Sequence, residues 1–369
     1  MLRFMYSGIS GMKVNQNKLD VVGNNIANVS TTAFKGSRAE FSDMLYQNAG
    51  TATAPTSNKG GTNAKQVGLG AQLSSINRVM SQGNALSTGR SLDVCIDGEG
   101  YIIVGSGTVD YPTGTGINAD DQSIASGDMK INYTRDGNLT LDKDGNLLTA
   151  DGHRVMGYLL TATNKAGEDT NPVSGDSSLA TAADTTAGVN IGDAVYVDAD
   201  GRVKAAADKL QPLKIPDKVY VPATTGDTTS KASWQKIASF SIGKDGIITG
   251  VLANGKKTAL GQIATATFTN PEGLTAVGGN LYETSPNSGT ELVRTPVNVD
   301  VKADGSAETT LRDNSKAFGD TIQGCLEASN VDLTEQFTDM ISATRCFQAS
   351  SKLITTGDEI LQTITGLLR

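Results

Sequence analysis

Apolar residues recur every seven positions at both ends of this chain. Near the C-terminus they are Leu326, Leu333, Met340, Phe347, Ile354, Leu361 and Leu368. Near the N-terminus they are Met5, Met12, Leu19 and Ile26. A seven-residue period keeps one edge of a helix against a partner along its whole length. The pattern predicts a helix over residues 3–28, its stripe widened by Ile9 and Val22. It predicts a second helix from Phe318 nearly to Arg369. The first should give way at Asn24-Asn25-Ile26-Ala27-Asn28, because asparagine lowers helix propensity and tolerates turns.

Each stripe is only half of a coiled-coil seam. At offset four from the C-terminal stripe stand Asn330, Phe337, Thr344, Ser351, Asp358 and Thr365. At offset three stand Ser329, Gln336, Ala343, Ser350, Gly357 and Ile364. The N-terminal helix is similar, with Ile9, Gln16 and Gly23 at offset four. One apolar edge beside a small or polar one makes a poor self-sufficient coiled coil, but small residues let helices approach closely. The bland reading is a pair of ordinary amphipathic helices docked on the protein's own body. The sharper one is that the two ends meet and complete their seam between copies. On that reading the helices are mobile in a lone chain and order on assembly.

Between the ends the text changes to short apolar runs and tight turns. Leu92–Ile96 and Tyr101–Val104 flank Asp97-Gly98, and the same dipeptide recurs at residues 136–137, 144–145, 151–152, 200–201, 245–246 and 304–305, with Asn254-Gly255 alike. Asp-Gly and Asn-Gly supply the positive φ angles that tight hairpins need. The expected fold class is therefore α+β and multidomain: long terminal helices forming a hairpin or coiled coil around a mostly antiparallel β-rich middle. The expected division is a terminal helical domain over 1–30 with 321–369, a connecting arm over 31–70, and a β core over 71–159 with 210–320. Residues 160–209, poor in large apolar side chains, read as an inserted outer subdomain or loop region. Residues 48–70, almost without apolar anchors, read as an extended or flexible arm.

Composition narrows the function classes. With 42 glycines and 5% aromatic residues in 369, the chain suits small, turn-rich β units. A net charge of −8 argues against nonspecific nucleic-acid binding, which needs a basic footprint. No apolar run approaches the ~18 residues of a membrane-spanning helix. The N-terminus lacks the grammar of a cleaved signal peptide, so the expectation is a cytoplasmic protein or export without a cleaved signal. Cys95, Cys325 and Cys346 have no metal-type spacing and read as small buried hydrophobes. Gly250–Thr258 approaches a phosphate-binding loop but carries Lys257 where Ser or Thr is required. Asp142–Asn146 opens like a calcium loop but reaches His153 where Glu is required. His153 is the single histidine and has no nucleophile motif beside it. No catalytic, cofactor-binding or metal-binding residue is expected.

Longer motifs carry a resemblance. Tyr6-Ser7-Gly8-Ile9-Ser10-Gly11, Leu19–Val29 and Phe34-Lys35 are similar to the opening of flagellar rod and hook proteins. Asp97–Val104, Tyr133–Asn138, Asp151–Tyr158, Leu260–Ala264, Phe268–Leu274 and Gly279–Thr284 resemble that family's core. Leu326–Glu335, Met340-Ile341, Arg345, Phe347–Ala349 and Asp358–Leu361 resemble its ending. The resemblance implies a structural subunit that polymerises with itself into a tube. Total length, the 160–209 insertion and the 297–318 stretch favour the flexible hook. The 48–70 segment, similar to an arm that stiffens the distal rod, favours the rod as the alternative. The resemblance further implies passage through the flagellar type III export apparatus, a hook cap protein during assembly, and the distal rod and hook–filament junction proteins at the tube ends. Neither nucleic acid nor membrane insertion enters. Some hook proteins join a Cys and a Lys covalently; Lys165 has no Cys near it in sequence, so no pair is assigned. The expected assembly interface is the stripes: Met5, Ile9, Met12, Leu19, Ile26, Leu326, Leu333, Phe337, Met340, Phe347, Ile354, Leu361 and Leu368.

Overall fold

The computed structural model describes residues 3–57, 59–108, 115–116, 124, 129–163, 193–199, 202–205, 209–221, 233–293 and 319–367. Leu368, Lys165, the turns at 200–201 and 304–305, the 297–318 stretch and most of 160–209 lie outside these residues. The chain divides into two compact units, Met1–Ser81 with Ser329–Arg369, and Gln82–Ala328.

The first unit holds both helices, α1 (Arg3–Ala27) and α2 (Leu333–Leu367). The end of α1 falls at the asparagine cluster. The Asn28 side chain donates to the Asn24 carbonyl at 2.9 Å, an alternative to continuing the helix ladder. The chain then forms a long antiparallel ribbon. Strand Ser37–Asp43 pairs with Ala71–Arg78, and Tyr46–Gly50 pairs with Lys65–Gly68. Bridges at Thr53–Thr62 and Thr56–Lys59 extend the ribbon toward its tip. The expected arm is thus a two-stranded ribbon, exposed along nearly all of residues 43–69.

The start of α2 corrects the expectation of a helix from Phe318. Asp320–Gln323 is a strand paired with Val94–Asp97, and Cys325–Glu327 is a strand paired with Ala85–Ser87. Gly324 between them has φ +79°, a left-handed conformation that interrupts helix and strand alike. Leu326 and Cys325 are therefore strand residues, and the seven-residue register at Leu326 is coincidence. The helix instead begins behind Asp332, whose Oδ1 accepts the Thr334 N–H at 2.7 Å and the Glu335 N–H at 3.4 Å. That is an N-cap, which satisfies backbone donors the first helical turn leaves free.

The second unit is β-rich. Its main sheet runs through Lys218–Val221, Ser233–Ile242, Ile247–Leu252, Lys257–Ile263, Arg154–Tyr158, Tyr101–Ser106, Lys130–Thr134, Leu281–Glu283 and Thr275–Gly278, each strand antiparallel to the next. Four expected Asp-Gly or Asn-Gly turns close hairpins here, with Gly145, Gly152, Gly246 and Gly255 at φ +78° to +83°. The dipeptides at Asp97-Gly98 and Asp136-Gly137 do not, the strands flanking the latter pairing elsewhere. Val94–Asp97 and Tyr101–Ser106 are both strands, but they pair with different partners. Val94, Ile102, Val104, Leu139, Val155 and Leu213 belong to one buried cluster, so these runs are core strands buried on both faces rather than the arms of one hairpin. The look-alike loops at 142–146 and 250–258 are ordinary hairpin text: Gly145 N–H donates to the Asp142 carbonyl and Gly255 N–H to the Leu252 carbonyl, each at 2.9 Å.

Candidate functional site

Within the first unit α1 and α2 lie side by side and antiparallel. Phe4 and Met5 meet Gly357, Gly8 meets Ser350 and Ile354, and Gly11 meets Ser350. Farther along, Lys18 Nζ lies 2.9 Å from Asp339 Oδ1, and Asn25 Nδ2 donates to Gln336 Oε1 at 3.0 Å. Besides Asp339 and the stripe residue Ile354, the residues of α2 at these contacts are Gln336, Ser350 and Gly357, with Ala343 buried between them. Gln336, Ala343, Ser350 and Gly357 are the small and polar edge, at offset three from the apolar stripe. A Cβ added at Gly357 would sit 2.7 Å from the Phe4 ring, so only glycine admits this approach without displacing that ring. Small residues thus do bring helices together, and they do so inside one chain.

The far end of the seam is tied by a buried polar knot that the sequence reading missed. Asn25, 2% exposed, donates to the Ser37 carbonyl at 2.7 Å and accepts the Ser37 N–H at 2.9 Å. Its amide thereby stands in for a peptide group and turns the chain out of α1 into the ribbon. Asn330 does the same before α2: its Oδ1 accepts the Gly36 N–H at 2.8 Å and its Nδ2 donates to the Val79 carbonyl at 2.8 Å. The fully buried Lys35 donates to the Ser81 carbonyl at 2.8 Å. An asparagine followed by residues unable to continue a helix is the available sequence signal, but it does not tell a break from a clasp.

The stripe residues divide. Met5, Met12, Leu19 and Ile26 on α1 are half-buried, as are Met340, Ile354 and Leu361 on α2. Ile9, Leu333, Phe337 and Phe347 are exposed. Leu326 is half-buried on its strand in the other unit, and Leu368 falls outside the described residues. A second apolar row was not foreseen. Leu353, Ile360 and Leu367 are 52%, 48% and 85% exposed and keep the same seven-residue period one position before the stripe. Ile341, Phe4 and Tyr6 are exposed too. Among the described residues of this unit, the helix pair therefore leaves a row of apolar side chains open to solvent. Among the described residues no three His, Cys, Asp or Glu side chains gather where they could hold a metal ion. No helix there is long and apolar enough to cross a membrane.

Three family models match: "Flagella basal body rod protein" over residues 5–35, "Flagellar hook protein FlgE/F/G D1 domain" over 123–250, and "Flagellar basal body rod FlgEFG protein C-terminal" over 322–367. The flagellar basal-body rod protein FlgG of Bacillus subtilis is 37% identical over 369 residues, all of both chains. The chain belongs to the flagellar hook and rod protein family. The flagellar hook protein FlgE of Borreliella burgdorferi is 28% identical over an alignment of 478 positions, again covering all of both. FlgG of Agrobacterium fabrum is 27% identical over 370 positions, with the same coverage. Two of the three family models fall on the helical ends, so the segments that build the apolar surface are also segments by which the flagellar hook and rod family is recognised.

Proposed function

We propose that this chain is a structural subunit of the flagellar axis that polymerises with itself into the tubular hook, through the outward apolar surface of α1 and α2. The observation that carries this reading is the division of α2 into two edges. Its small edge packs against α1, while on its apolar side Met340, Ile354 and Leu361 are half-buried and Leu333, Phe347, Leu353 and Ile360 remain exposed. Burying such a surface against copies of itself is what the hydrophobic effect favours. The role is mechanical and calls for no catalysis. On this reading the stripe residues form the inner, tightly packed contacts of the tube. The β unit, whose sequence is polar and rich in glycine, makes contacts that are weak and remakeable. A joint that resists twist yet bends needs both. Export through the flagellar type III apparatus without a cleaved signal, capping during growth, and the rod and junction proteins as end partners follow from the same assignment.

A second reading, the distal rod, fits at least as well on two observations. The relative at 37% identity over the whole chain is named a rod protein, and the exposed ribbon over residues 46–68 suits a stiffening arm. Length does not separate the two, because relatives named as rod proteins align over 369 and 370 positions with complete coverage. Negative-stain images of purified protein at high salt decide: curved tubes support the hook, straight tubes the rod, and the absence of any tube refutes self-assembly.

A further inference from the structure

The place where the chain leaves the β unit has an unusual construction. Ala85–Ser87 and Val94–Asp97 each belong to a two-stranded sheet whose other strand comes from residues 320–327. Neither has another strand partner among the described residues. The returning segment is stitched in at many points. Gly319 N–H donates to the Glu99 carbonyl at 2.7 Å, Thr321 N–H to Lys244 at 2.9 Å, Gly324 N–H to Asp93 at 2.7 Å and Ala328 N–H to Asn84 at 2.8 Å. The Gln323 side chain donates to the Ser91 carbonyl at 2.6 Å and accepts the Ile242 N–H at 3.2 Å.

At its end stands a buried ion pair. Glu327 Oε2 lies 2.9 Å from Arg135 Nε, with side chains 0% and 3% exposed. The second oxygen of Glu327, Oε1, accepts the Gly83 N–H at 2.9 Å. The Arg135 Nη2 donates to the carbonyls of Ile96 and Gly98, and the guanidinium stacks 5.7 Å from the Tyr101 ring centroid. The pair therefore joins the strand at 325–327, the loop at 83, the strand at 94–97 and the turn after Thr134. A buried pair is weak evidence for stability, but losing one partner leaves an uncompensated buried charge and is strongly disruptive.

We propose that residues 319–328 are a latch that closes the β unit from the C-terminal side, held shut by the Arg135–Glu327 pair and able to open while the main sheet stays folded. Most of what the latch holds lies in residues 82–99, at the start of the unit, with single ties to Ile242, Lys244 and Arg135; the main sheet has its own ladder and core. A segment joined through two-stranded sheets is a natural unit of partial unfolding. The idea does not depend on whether the chain builds hook or rod, or polymerises at all.

Cys95 is the reporter. It is 1% exposed, on the strand that the latch covers, opposite Ile322. In the full-length monomer carrying Cys325→Ser and Cys346→Ser, labelling of Cys95 by an aromatic disulfide reagent should be slow. Glu327→Gln should raise its rate on the order of 100-fold, with amide exchange across 247–263 unchanged. Arg135→Met should act alike, and the double variant Arg135→Met/Glu327→Leu should recover to within about tenfold of the parent, because no lone charge is left buried. In the parent itself, Cys95 labelling should respond to low urea with a shallower slope than exchange at 247–263, since local opening exposes less surface. That measurement serves even if a variant fails to fold. Unchanged labelling in Glu327→Gln overturns the proposal, as does opening of Cys95 and 247–263 together with one urea slope.

Discussion

Replacing Leu353 by Asp separates the two jobs of α2. Leu353 is 52% exposed, so about half of its surface is already covered within the chain. Full burial of a leucine is worth about 1.5–3 kcal/mol, so the monomer should lose roughly 1 kcal/mol and stay folded. In a tube the remaining half is buried against a neighbour. There the variant forfeits about another 1 kcal/mol and must also desolvate a carboxylate, which costs several kcal/mol per ion even after relaxation. A penalty of at least about 3 kcal/mol per subunit raises the concentration needed for assembly by roughly 100-fold. Pelleting of polymer against total protein concentration measures this, and urea melts of the monomer supply the control. Phe347→Asp should also block assembly, with a larger loss in the monomer because Phe347, 37% exposed, is more covered by its own chain. Ala343→Asp should damage the monomer first, since Ala343 is 2% exposed in the seam. Polymer formed by Leu353→Asp at the parent concentration would refute the assignment of the outer row to contacts between copies.

Three further outcomes are expected. Asn25→Ala strips partners from both the N–H and the carbonyl of Ser37 and should destabilise the helical unit by about 2–4 kcal/mol, read in urea melts by helix signal, with the β unit unaffected. Asp332→Ala removes the cap of α2 and should cost about 1 kcal/mol, while Asp332→Asn should cost only a few tenths, measured by thermal melting. Burial, reinforced by the charge of Glu327, pushes the Cys95 thiol up to about 11 from 9.0. The folded state thus holds a proton that the unfolded chain releases, and stability contributed by this thiol is full below pH 9 and lost as pH rises from 9 to 11. Denaturant midpoints at pH 8 and 10.5 should therefore lie closer together in Cys95→Ala than in the parent.

Local rules made α1 and the hairpins legible. The period of seven at Met5, Met12, Leu19 and Ile26 with an asparagine cluster behind it leads to a helix ending at Ala27. Asp-Gly and Asn-Gly at 144–145, 151–152, 245–246 and 254–255 produced turns, because positive φ at the glycine is a property of the dipeptide itself. The same rule misleads at Asp97-Gly98. Nothing local separates two strands that pair with each other from two that pair elsewhere, and the choice is made by strands at 130–134 and 320–323. Residues 320–327 carry a helix-compatible pattern, and pairing with residues from more than 220 positions earlier overrides it. Propensity is a weak prior against such contacts.

The sequence by itself determined that both ends carry helical stripes, that each stripe is half a seam, and that the long motifs belong to a flagellar family. These are matters of spacing and residue identity, which a chain carries before it folds. Only the tertiary structure decided which half of the seam is spent inside the chain. Gly8, Gly11, Ser350 and Gly357 allow backbones to approach closely, and Asn25 and Asn330 clasp the ends, so the small edge meets its own partner. Leu353, Ile360 and Leu367 are thereby left facing solvent. The physical reason is that a helix offers its full circumference at once, and which arc is covered depends on the neighbour that packs against it.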